Sequence, residues 1–286
     1  MDRTTAYLAR LTEGDLRFLA SVSGGHAETV ATLRAEPARI VELIDRSEVY
    51  DALFAPWSEH PFALASPFLA FSVLLAGAAR ELGSTSFVRE WIGPRQRIPV
   101  FDVEALRGFL DDRMRRVFLA DVLASYTHVA SGTVWIRGRR GWTRRRFNEL
   151  DPVRLAALLE VVPQGERIAV VKRLGDLALF LTGVFPDAAE RLFRPVQIER
   201  IERTLAEAGG ARDDVPEEPP GAVGLLERLG RRSYRTVAQV VQEPLLDTAL
   251  AVAEVAERFG EARRVLNFLT DRHLFPLRDE WFPWSG

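Results

Sequence analysis

The chain has 286 residues, of which 47% are apolar, 38 are basic and 40 are acidic, so a formal net charge of −2 gives it no strong overall field toward nucleic acid or acidic lipid. It contains no cysteine, which removes disulfides, thiol nucleophiles and thiolate-ligated zinc and fits a reducing, cytoplasmic setting. The length suits one large domain or two smaller ones, and the N-terminus lacks the basic region and apolar core of a secretory signal.

In chain order, Thr12 is placed to cap a helix over 13–23 that Gly24-Gly25 closes, and a second helix covers 26–35. Pro37 suits the first turn of a third, with Ile40, Val41 and Ile44 on its apolar side, and 47–55 forms a short fourth. Residues 57–61 connect to an apolar run over 62–79. Pro67 and two serines interrupt that run, so it reads as a buried helix over 67–82 ending near Gly83, and no transmembrane segment is expected. Gly93-Pro94 breaks the next segment. Leu106, Phe109, Leu110, Met114, Val117, Phe118, Val122 and Leu123 then recur at helical spacing, which predicts one long helix over 101–131 capped by Asp102.

Strand-forming residues return at 133–147, where Val134, Ile136, Trp142 and Phe147 flank a Gly-Arg-Arg-Gly turn and define a β-hairpin. Helices follow over 152–162, 164–184 (with Gly175 as a bend) and 187–208. The stretch 209–221, with its glycines, prolines and four carboxylates, is a surface loop. Beyond it lie helices over 222–241, 244–259 and 261–272, and an aromatic tail that docks back on the body, since left free it would expose a large apolar patch. The fold class expected is mainly α, a multi-helix bundle-like domain over 1–286 with a β-hairpin insertion. Residues 222–286 form either a subdomain or the completion of the same core.

Lys172 is the only lysine; the other 37 basic residues are arginine. Lysine is a compact charge whose pKa responds to burial, whereas arginine stays charged. At 100° per residue Lys172, Asp176, Leu179 and Gly183 share one helix face, and Gly175, Ala178 and Thr182 form a small-residue face beside it that admits a close neighbour. A buried Asp176 needs donors, and Lys172 is the nearest. The hairpin carries Arg137, Arg139, Arg140, Arg144, Arg145 and Arg146 with Trp135 and Trp142, a set that can grip phosphates and stack on bases or meet an acidic protein surface. Asp121, Ser125 and His128 lie on one helix face, as do Asn267 and Asp271 near His273, arrangements that read as hydrogen-bonded seams between helices. None of the four histidines forms a zinc or di-iron motif, and GxGxxG, GxxxxGK[ST] and GxSxG are absent, so no metal or cofactor is expected.

Three segments resemble a group of uncharacterised bacterial proteins of similar length. Gly175, Asp176, Leu179, Phe180, Gly183, Phe185 and Pro186 match a GDxxLFxxGxFP pattern, Leu229, Gly230 and Tyr234 match LGxxxY, and 263–276 adds a third stretch. The resemblance spans about 118–276 and implies an α-helical family with no known activity.

The function expected is that of a non-enzymatic helical binding or regulatory protein presenting a surface to a protein partner or small ligand. One alternative is nucleic-acid binding through 137–146. The other is an enzyme or small-ligand site at Lys172, Asp176 and Tyr234.

Overall fold

Thr12 opens the first long helix, Glu13–Val22, through a reciprocal capping box. Its hydroxyl accepts from the Asp15 N–H at 3.2 Å, and the Asp15 carboxylate accepts from the Thr12 N–H at 2.8 Å. Asp15 is fully buried, and its other oxygen accepts from the Ser66 N–H at 2.7 Å, so one side chain anchors the start of two helices. The computed structural model describes residues 5–23, 29–55, 61–129, 131–138, 141–207, 221–240, 246–274 and 281–282. They are mainly helical, with two two-stranded β-hairpins. The chain gathers into two units, Met1–Val88 with Phe101–Thr127, and Arg89–Val100 with His128–Gly286.

In the first unit the helices Pro37–Ile44, Ser47–Phe54, Val103–Leu110 and Arg113–Ser125 pack on Pro67–Ser84, whose residues from Phe68 to Ala76 are all buried. No helix among the described residues is long and apolar enough to cross a membrane. Pro67–Ser84 ends against Arg107, which donates to the carbonyls of Leu82, Gly83 and Thr85 at 2.6, 3.1 and 3.0 Å, groups a helix end leaves unpaired. The expected single helix over 101–131 is two helices, Val103–Leu110 and Arg113–Ser125. Asp112 makes the break: its carboxylate accepts from the N–H groups of Met114 and Arg115 at 2.8 and 3.1 Å, and Arg115 reaches back to the Phe109 carbonyl at 2.8 Å. Asp102 stands at the N-cap of Val103–Leu110 but makes no side-chain capping bond there. A short carboxylate that bonds nearby backbone competes with helix continuation, and apolar periodicity does not register it. Asp121 pairs with Arg10, and the Ser125 hydroxyl donates to the Val122 carbonyl at 2.8 Å.

The second unit is built on Arg167–Val184, a helix buried from Leu174 to Val184. Its small face receives Ala222–Val240: a Cβ on Gly175 would lie 2.5 Å from the Tyr234 ring, and one on Gly230 would lie 2.9 Å from the Ala178 Cβ. Gly175 is thus a point of close helix approach, and the helix runs through it without ending. Phe259–Leu269 packs on the same helix at Gly183, where a Cβ would meet Leu266 at 2.6 Å. The described part of the tail is docked: Trp281 and Phe282 are buried, and the Phe282 ring lies 5.1 Å from Phe180 and 6.0 Å from Phe185. The helix expected over 187–208 is divided into Pro186–Leu192 and Pro195–Glu207, because Pro195 removes a donor and restrains the residue before it. The loop expected at 209–221 lies almost wholly outside the described residues.

The hairpin expected at 133–147 pairs Ser131–Gly138 with Gly141–Asn148. A second hairpin, Val88–Gly93 with Gln96–Val100, was not expected. Pro94 and Arg95 form its two-residue loop. Proline fixes a negative φ at the first loop position, and Arg95 has φ +58°, the left-handed conformation a type II turn requires at the second. Glycine is the usual residue there; arginine concealed the turn.

Candidate functional site

Lys172, Asp176 and Tyr234 come together. The Lys172 amine lies 2.8 and 3.1 Å from the two Asp176 oxygens, and the Tyr234 hydroxyl donates to Oδ1 at 3.0 Å. The tyrosine ring reaches the carboxylate by passing where Gly175 has no side chain. Asp176 and Tyr234 are buried, while the Lys172 side chain is 38% exposed. The trio clamps two helices around a carboxylate already supplied with donors. We expect Tyr234→Phe to cost about 1.5–3 kcal/mol, because it removes a buried bond to a charged group. Lys172→Ala should cost about 1 kcal/mol or less, the range for a water-screened pair. Urea denaturation of both variants checks the order; a larger loss for Lys172→Ala would make the amine the main support of Asp176.

For the arginine-rich hairpin the backbone register places Arg137 opposite Trp142, Trp135 opposite Arg144, Val134 opposite Arg145 and Thr133 opposite Arg146. Arg139 and Arg140 lie outside the described residues.

The second unit also contains a cleft of about 460 Å³, whose lining runs from Pro94–Arg97 through Gly183–Arg191 to Asn267–Asp271. None of Lys172, Asp176 and Tyr234 lines it. Its first wall is the Pro94-Arg95 turn, fixed by Asp187: one carboxylate oxygen accepts from the Trp91 indole N–H at 2.7 Å and from the Arg95 backbone N–H at 3.1 Å. Arg97, in the adjoining strand, donates through Nε to Asp271 at 3.0 Å. The second wall is the end of Arg167–Val184. Asn267 closes it by donating to the carbonyls of Thr182 and Gly183 at 3.0 and 2.6 Å. Asn267 is itself held by Arg263, which lies in a buried network with Glu227, Arg231 and Glu90.

The third wall is a π-helical turn, Thr270–Leu274, at the end of Phe259–Leu269. Thr270 is 5% exposed, and its buried hydroxyl has no hydrogen-bond partner among the described residues. Three guanidinia, Arg95, Arg97 and Arg191, and two carboxylates, Asp187 and Asp271, line the cleft. One oxygen of each carboxylate accepts from donors of the hairpin. Arg191 donates only to the Asp187 backbone carbonyl, at 3.3 Å, so the Arg95 and Arg191 side chains have no carboxylate partner among the described residues.

Sequence reasoning singled out Asn267 and Asp271 but not Arg95, Arg97, Asp187, Arg191 or Thr270. The available signal was the two-residue Pro94-Arg95 link between Val88–Gly93 and Gln96–Val100, which has the spacing of a hairpin loop. Among the described residues no three or more His, Asp or Glu side chains gather as metal ligands would. No family model, no curated protein and no solved structure matches this chain.

Proposed function

We propose that this protein acts by binding, and that its second unit takes a small ligand in the cleft between the Pro94-Arg95 turn and the Thr270–Leu274 turn. One observation carries the proposal: two backbone conformations that cost energy, a positive-φ arginine and a π-helical turn, stand on the walls of the same concave site. Such conformations persist where surrounding structure holds them and cluster at binding and catalytic sites. The volume is within the range of small-molecule pockets. The lining supplies charge and hydrogen bonds, and its aspartates are held by arginine and tryptophan rather than poised beside a nucleophile.

The test is thermal unfolding of the full chain against a panel of neutral, cationic and anionic small molecules. A ligand at a hundred times its Kd raises stability by about 2.7 kcal/mol, which for a unit of this size raises Tm by about 5 °C or more. The rise should disappear in Ala188→Trp, which fills the cleft from its lining. No stabilising compound, or a rise unchanged by Ala188→Trp, overturns the proposal.

A further inference from the structure

We infer that the ligand of this cleft is a small oxyanion, a carboxylate or a phosphate, gripped by Arg95 and Arg191. The inference rests on the cleft being a ligand site and specifies the chemistry of what it holds.

Charge is the first ground. The lining carries three guanidinia against two carboxylates, an excess of positive charge that disfavours a cation, and one oxygen of each aspartate is already bonded, on Asp187 by Trp91 and Arg95 and on Asp271 by Arg97. Among the described residues the Arg95 and Arg191 side chains have no carboxylate partner, and guanidinium is the side chain best matched to the paired oxygens of a carboxylate or phosphate.

The second ground is the place Arg95 occupies. Glycine would adopt φ +58° at the second position of this turn without steric conflict, and its N–H would still reach Asp187. An arginine there bears a conformational cost that confers nothing on the turn itself, whereas it sets a guanidinium on the rim of the cleft.

The experiment is isothermal titration of the full chain at low ionic strength with inorganic phosphate, succinate and tetramethylammonium, each against the unsubstituted protein, Arg95→Gly and Arg191→Gln. Saturable binding of phosphate or succinate is expected, with no heat from tetramethylammonium. Phosphate alone binding assigns a phosphoryl ligand; succinate alone assigns a carboxylate. Each arginine substitution should weaken binding about 10- to 100-fold, the range for losing a hydrogen bond to a charged group. Arg95→Gly suits the turn better than arginine, so a fold of undiminished thermal stability accompanies its loss of binding. Anion binding untouched by both arginine substitutions overturns the inference. So does a cleft that takes only neutral or cationic members of the thermal panel; that result leaves the cleft a ligand site and refutes its oxyanion chemistry alone. If no compound binds at all, the cleft reading fails with it.

Discussion

Glu227→Ala should lower the stability of this protein by about 3–5 kcal/mol, the loss typical of removing one partner from a buried ion pair. The Glu227 side chain is 6% exposed and lies between two guanidinia, with Oε1 3.1 Å from Arg231 and Oε2 2.9 Å from Arg263. Those arginines are themselves 11% and 7% exposed, so alanine would leave positive charge in the interior without its main counter-ion. Glu90, 3.6 Å from Arg263, offsets only part of that charge. Glu227→Gln keeps the shape and an acceptor and should lose less. Urea unfolding of both variants at low and high salt checks this. A buried pair is weakly screened, so the difference from the unsubstituted protein should persist at high salt. A loss under about 1 kcal/mol would mean that water reaches the network and solvates the arginines. Because Arg263 also holds Asn267, the alanine variant should also weaken the ligand binding proposed for the cleft.

Gly230→Ala should cost about 2 kcal/mol or more, while Gly108→Ala should stabilise by about 0.5–1 kcal/mol. Both glycines are inside helices, where alanine is intrinsically favoured by about 1 kcal/mol. Space decides the sign. A Cβ at Gly230 would lie 2.4 Å from the Phe259 ring and 2.9 Å from the Ala178 Cβ. Phe259 is fully buried and cannot swing clear, and the Ala178 Cβ moves only with its backbone. Two helices would have to separate, and overpacking of that kind exceeds the propensity gain. At Gly108 a Cβ meets nothing within 4 Å. Thermal unfolding should show a fall of about 4–8 °C for Gly230→Ala and a small rise for Gly108→Ala. Equal and opposite behaviour would require a looser contact between Arg167–Val184 and Ala222–Val240 than the structure has.

Much of the helical framework was legible in the chain because its causes are local. Thr12 capped the expected helix, Pro37 and Pro67 opened theirs, and the apolar period marked their buried faces. The small face of Gly175, Ala178 and Thr182 pointed to a central helix, and Gly175 does lie beneath a neighbouring ring. Other features needed the fold. Asp112 reads as a solvated residue until its bonds to Met114 and Arg115 show it ending one helix and starting another. The Asp176 carboxylate required donors, but its buried one, Tyr234, lies 58 residues away. Hydrogen bonding at that separation leaves no periodic trace in sequence.

The candidate site was the least legible part. Its walls come from 94–97, 183–191 and 267–271, and none carries a recognised motif alone. Arg95 occupied a position where glycine would have announced a turn, and Thr270 joins the lining only through the π-helical turn that it begins.

By itself the sequence determined a mainly helical chain, the central place of Arg167–Val184 and the pairing of Lys172 with Asp176, because capping, 3.6-residue periodicity and i,i+4 contact act over a few residues. The tertiary structure alone decided which guanidinia of the cleft keep no carboxylate partner among the described residues. Charge balance and polar satisfaction depend on every group that folding brings near, however distant along the chain.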